Sequence, residues 1–143
     1  MTMKQLSVFV ENKPGTLAEI TGILGANDID MCALSVADTE RYGILRLIVN
    51  NPQKAEDALK AAGFKVSLTD VIAIAVSHKP GGLSEALKYV AQAGIAVEYM
   101  YAFVSPKADT AYVILRVQDN QKAILALQQG GIPVIRGEEV YGK

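Results

Sequence analysis

The sequence predicts an α+β fold of two ferredoxin-like βαββαβ units, each a four-stranded antiparallel sheet with two helices on one face. Three observations carry this expectation. First, the chain repeats itself: Lys13-Pro14-Gly15-Thr16-Leu17 lies over Lys79-Pro80-Gly81-Gly82-Leu83 at an offset of 66, as do Glu19 over Glu85 and Ile29 over Ile95. Further on, at an offset of 68, Leu47 pairs with Leu115, Val49 with Val117, Gln53-Lys54-Ala55 with Gln121-Lys122-Ala123 and Gly63 with Gly131, so one loop of the second copy carries two extra residues. Second, the apolar spacing within each copy alternates between period two and helical period. Third, the 143 residues contain no Ser/Gly/Pro-rich linker, which makes 1–69 and 70–143 the two expected domains, rigidly juxtaposed and each marginal alone at that size.

Taken in order, Leu6, Val8 and Val10 alternate with Gln5, Ser7 and Phe9, and Ile72, Ile74 and Val76 with Ala73 and Ala75, so each copy opens with a strand. Pro14 and Pro80 stand just before a helix, where a missing N–H costs little. Leu17, Ile20 and Leu24 in one copy, and Leu83, Ala86, Leu87 and Val90 in the other, then share a helical face. Gly94 is expected to stop the second copy's helix. Strands over about 30–39 and 96–105 follow, each pairing antiparallel with its successor, 43–49 or 111–117. Asn51 and Asn120 are the expected caps of the next helices, Pro52 suits a first turn, and Gly63 and Gly130-Gly131 end these helices before a short last strand. Two right-handed crossovers leave one sheet face bare. In the second copy Val97, Tyr99, Tyr101 and Phe103 make that face apolar, so it is expected to be covered, either between repeats or across a homodimer.

Composition narrows the function. Half of the residues are apolar, 20% are charged and the formal net charge is −1, as in an ordinary globular protein. The interspersed charge lacks the basic face that DNA or RNA requires, and the third strands, at 41–45 and 111–115, lack the stacking aromatics of RNA-recognition modules, so no nucleic-acid partner is expected. No apolar stretch approaches the roughly 20 residues of a membrane span, and the N-terminus enters strand pattern without a signal core, so no membrane partner and a cytoplasmic location are expected. Cys32 is the single cysteine: it can form no intramolecular disulfide, belongs to no zinc-type cluster and is expected as a small buried thiol.

Catalysis finds little to work with. His78 is the one histidine, it stands beside Lys79 and Pro80 with no second group spaced to assist it, and a hydrogen-bonding role is more economical. The pairs Glu56-Asp57 and Glu138-Glu139 are adjacent, so on a helix they diverge instead of converging on a metal ion or a substrate. The expectation is a protein without catalytic residues, cofactor or metal. What remains are the two Pro-Gly loops, where glycine lets the backbone turn closely and the helix start offers N–H groups and a positive dipole end to an anion such as a carboxylate.

Val10-Glu11-Asn12-Lys13-Pro14-Gly15-Thr16-Leu17, followed after the helix by Asp28-Ile29-Asp30-Met31, resembles an ACT domain, and the second copy, from Val76 to Leu83 and then Gly94-Ile95-Ala96-Val97, is similar. The resemblance covers nearly the whole chain as two such domains in tandem. It implies a stand-alone regulatory or sensor protein that binds an amino acid or related small metabolite between ACT domains. Carried over by position, Asn12 matches a side chain that hydrogen-bonds the ligand, the backbone of Pro14, Gly15, Thr16 and Leu17 surrounds its carboxylate, and Asp30 beside Met31 faces its amino group. Lys13 completes the first loop. The second loop offers His78, Pro80, Gly81 and Gly82, but has His78 for the asparagine and Ala96 for the polar strand residue. The expected assembly is a homodimer, with a metabolic enzyme as its partner. The competing reading is a ligand-independent interaction subunit of an amino-acid biosynthetic enzyme, using its apolar sheet face.

Overall fold

The computed structural model describes residues 1–38 and 41–140; the expected strand end at Thr39 and the last three positions of the second expected domain, 141–143, lie outside the described residues. The chain divides into two compact units, Lys4–Thr69 and Asp70–Lys143, the second together with Met1–Met3.

The first unit contains β1 (Met3–Glu11), α1 (Thr16–Ala26), β2 (Met31–Asp38), β3 (Tyr42–Val49), α2 (Pro52–Ala61) and the beginning of β4 (Lys65–Ser77). Its strands lie in the order β2-β3-β1-β4. The antiparallel register sets Leu6 opposite Leu47 and Val8 opposite Leu45, and on the other side of β3 it sets Leu34 opposite Leu47 and Val36 opposite Leu45. Because strand side chains alternate, Leu6, Val8, Val10, Leu45 and Leu47 share one face, where they bury against Ile20 and Leu24 of α1 and Ala55 and Leu59 of α2. Each such leucine, removed from water, stabilises the unit by about 2 kcal/mol.

The second unit contains the rest of β4, then α3 (Gly82–Gln92), β5 (Tyr99–Val104), β6 (Thr110–Arg116), α4 (Asn120–Gln129), β7 (Val134–Ile135) and a short α5 (Gly137–Val140). Here β4 lies between β6 and β7, with β5 outside β6. Ile72, Ile74, Val113 and Leu115 pack with Ala86 and Val90 of α3 and Ala123, Ile124 and Leu127 of α4. On the opposite sheet face Val71, Ala73, Tyr112 and Ile114 are also buried. Tyr99, Tyr101 and Phe103 on β5 are half-buried, and Phe103 meets Tyr112 edge to face with centroids 5.4 Å apart.

Several elements differ from the sequence reading for local reasons. The last strand of one repeat and the first of the next are a single strand, β4, because nothing in Ser67-Leu68-Thr69-Asp70 breaks an extended chain. The cap of α4 is Asp119, whose carboxylate accepts from Lys122 N at 3.1 Å, and Asn120 becomes the first helical residue. Of two adjacent cap formers, the one whose oxygen reaches the amide three residues on takes the role. Asn51 caps α2 as expected, accepting from Lys54 N. Leu17 does not join the core: the buried stripe of α1 is Thr16, Ile20 and Leu24 at four-residue steps, and Leu17, one residue round the helix, is 42% exposed. β5 begins at Tyr99 and not at Ala96, with ladder pairing announced by Glu98 N donating to Arg116 O at 2.9 Å. The two extra residues of the second copy fall in the β5–β6 connection, 105–109, against 39–41 in the first. Cys32 is half-buried, and burial followed by the charge of Asp30 raises its thiol pKa.

Candidate functional site

Both loops are built alike. At the end of β1, Lys13 N donates to Glu11 O (2.9 Å), Thr16 N to Lys13 O (3.4 Å) and Glu19 N to Gly15 O (2.9 Å). At the matching places in the second unit Lys79 N donates to Ser77 O (2.9 Å), Gly82 N to Lys79 O (3.1 Å) and Glu85 N to Gly81 O (3.0 Å). Gly15 and Gly81 precede the helices with φ of 92° and 86°, a left-handed conformation that a side chain would strain. Neither helix start is capped by a side chain. Two equal folds of backbone thus present helix N-termini with their positive dipole ends.

The loops then diverge at one residue. A Cβ on Gly82 would stand 2.0 Å from the Ser77 carbonyl oxygen, so the second helix start lies against its own strand with no room for a side chain. The first unit places Thr16 at the equivalent position, 7% exposed, with an Oγ1 that is buried and has no hydrogen-bond partner among the described residues. Beside it is a cavity of about 310 Å³, lined by Phe9, Val10 and Glu11 of β1, Lys13, Thr16, Glu19, Tyr42 of β3, and Gly63, Phe64 and Lys65 leading into β4. Lys13 Nζ pairs with Glu11 at 3.4 Å, and Lys65 Nζ lies 5.4 Å from the centroid of the Phe9 ring.

Of the residues singled out from sequence, Lys13 and Thr16 line this cavity. Asn12 is exposed beside it, its N–H donating to Arg41 O at 3.1 Å, and its side chain approaches Gly43. Pro14, Gly15 and Leu17 form the loop and helix start without lining the cavity. Asp30 and Met31 are not brought to it. Val10 and Asp38 both stand opposite Gly43, whereas Met31 stands opposite Val49, so Asp30 lies roughly 25 Å down the same sheet at about 3.3 Å per residue. Met31 packs against the core, and Asp30 N is held by Asn50 Oδ1 at 3.1 Å. A pocket of one unit therefore cannot use both Asn12 and Asp30.

In the second unit His78 and Gly81 line different cavities, the former with Ala102, Phe103, Ser105, Thr110 and Ala111, the latter with residues of α3. His78 N donates to Asp109 O at 2.8 Å, and Pro80 is exposed. Sequence reasoning missed Phe9, Glu11 and Glu19, for which spacing held a signal: Phe9 and Glu11 flank Val10 at strand period, and Glu19 falls one turn after Thr16. Nothing local could place Phe64 and Lys65 there, because they arrive through tertiary pairing. Among the described residues no group of His, Cys, Asp and Glu could hold a metal ion, and no helix is long and apolar enough to cross a membrane.

A tandem of βαββαβ units with glycine-led loops defines a class. The chain belongs to the ACT domain pair family, whose model matches residues 1–136. A protein from Bacteroides thetaiotaomicron is 37% identical, covers 100% of this chain with 98% of its own, and superposes with a TM-score of 0.93. The regulatory subunit of aspartate kinase from Thermus thermophilus is 17% identical over 89% of this chain and 91% of its own (TM-score 0.66), and that from Thermus flavus is 16% identical over 90% and 92% (TM-score 0.64). Those two likenesses are of fold. No curated protein matches the chain.

Proposed function

We propose that this ACT domain pair is a non-enzymatic regulatory protein that binds a free amino acid or related small metabolite at its strand–helix loops and, on binding, alters domain packing or affinity for a metabolic enzyme. Each of 1–69 and 70–143 is read as one ferredoxin-like ACT domain, acting in the cytoplasm as a homodimer. The observation that carries the reading is the first loop: an uncapped helix start, a buried hydroxyl without a partner and an adjoining cavity of about 310 Å³. Helix-terminal amides suit a carboxylate, and a cavity of that size suits a small molecule. Regulation then requires only that the ligand prefer one of two states.

A thermal-shift screen against the twenty amino acids tests this. A shift with one or a few supports the reading and names the ligand. No shift with any turns the case to the second reading, a ligand-independent interaction subunit. What favours that reading is the edge strand β2, where Leu34 and Val36 are 52% and 45% exposed. Stoichiometric co-purification of an enzyme without added metabolite would support it.

A further inference from the structure

We propose that the chain is one cooperative body in which a change of state in the first unit is felt in the second, carried by a ribbon of two strands that belongs to both. β1 and β4 are hydrogen-bonded neighbours in the sheet. The division between the units falls inside each of them, between Met3 and Lys4 in β1 and between Thr69 and Asp70 in β4. Neither strand is interrupted there, and neither contains a proline or a glycine. A flexible linker lets two domains open separately, whereas a paired strand opens only by breaking its ladder.

Both ends of the ribbon are anchored. In the second unit the anchor of β1 is Met1–Met3: Met3 is buried, and Gln128 of α4 donates from Nε2 to the Met1 sulfur at 3.3 Å. Ile72 and Ile74 of β4, opposite Leu115 and Val113 of β6, enter that unit's core. In the first unit the same two strands supply Leu6, Val8, Val10 and Val66 to the core. The end of β1 and the start of β4 meet at the first cavity, which Glu11 and Lys65 line together. At its far end β4 carries Ser77, whose carbonyl accepts from Lys79 N at 2.9 Å and closes against Gly82 at the start of α3. The two strand–helix loops therefore stand at ends of one ribbon. Whatever orders the first loop makes β1 and β4 open less often, and the second unit, which shares them, opens less often with them. Regulation by this route works through stability and requires no change in the shape of either unit. It does not depend on which ligand the loops take.

Hydrogen exchange of the full chain without ligand, followed peptide by peptide, tests the proposal. Ile20→Val removes one methylene from α1 in the first unit's core and should speed exchange in β2 and α2 about fivefold while the fold stands. The expected result is a comparable acceleration in β6 and α4. The converse substitution, Ile124→Val in α4, should speed exchange in β2 and α2 as well as in its own unit. Met3→Ala should speed exchange of α4 about tenfold, since the residue removed is buried as part of the second unit. Acceleration confined to the unit that carries the isoleucine substitution would overturn the inference, and so would an α4 unmoved by Met3→Ala.

Discussion

Thr16 combines two roles that ordinarily separate: it starts the buried stripe of α1, and it carries a hydroxyl with no partner at the edge of a cavity. Thr16→Val should therefore raise unfolding stability by about 1 kcal/mol, since an unmet polar group is removed at nearly constant volume. Chemical denaturation without ligand reads the first effect, and a loss of stability would count against the hydroxyl being unsatisfied. Its counterpart, Gly82, predicts the reverse. Gly82→Ala pushes a methyl into Ser77 O and should cost about 1–3 kcal/mol by the same measurement. Cys32 provides a pH-dependent case. Burial, and secondarily Asp30, raise its thiol pKa above the ordinary value, so the fold favours the neutral thiol. That contribution to stability is fully present below the ordinary thiol pKa and is lost as pH rises through the raised one. At pH 8 the native thiol should react with a disulfide reagent more slowly than in unfolded chain, and Asp30→Asn should speed the native reaction.

At the scale of elements, helix starts distinguish the two helices of each unit in the same way. α2 and α4 have side-chain caps, Asn51 and Asp119, whereas α1 and α3 begin at left-handed glycines with none. Asp119→Ala should lower stability by about 1 kcal/mol, while Asn120→Ala, one residue inside the helix, should cost clearly less. Equal losses in thermal unfolding would move the cap back to Asn120. Asn120 was the cap expected from the sequence, and Asp119 beside it is as good a cap former. Which of them acts depends on the orientation of a single turn, and adjacent cap residues do not encode that. The fusion of two predicted strands into β4 has a different origin: nothing in Ser67-Leu68-Thr69-Asp70 breaks an extended chain, so the boundary between the two repeats is not a boundary between strands.

For the whole molecule, a ligand present at about 100 times its dissociation constant adds roughly 2.7 kcal/mol. In a chain of this length the melting midpoint should rise by several degrees. The rise should be preserved in Asp30→Asn if the ligand is held within the first unit, because Asp30 lies at the far end of that sheet. If Asp30→Asn abolishes the shift, the ligand is held by residues contributed from more than that one unit.

The order of elements and the core stripes were written in the sequence, because each depends on residues within about ten positions of one another and on periodicities that backbone geometry enforces, and the repeat and the family showed because the same local runs recur at offsets of 66 and 68. The Pro-Gly loops were legible for the same reason. The cavity was not: it is assembled from β1, α1, β3 and the approach to β4, segments up to about fifty residues apart that meet only through strand pairing. Strand register also separated Asn12 from Asp30, which the family resemblance had assigned to one ligand, and packing alone decided that Thr16 would be buried beside a cavity while Gly82 closed against its strand. Local patterns determine which face of an element is apolar, but the distances between elements are fixed by how those faces pack, and a binding site is made of such distances.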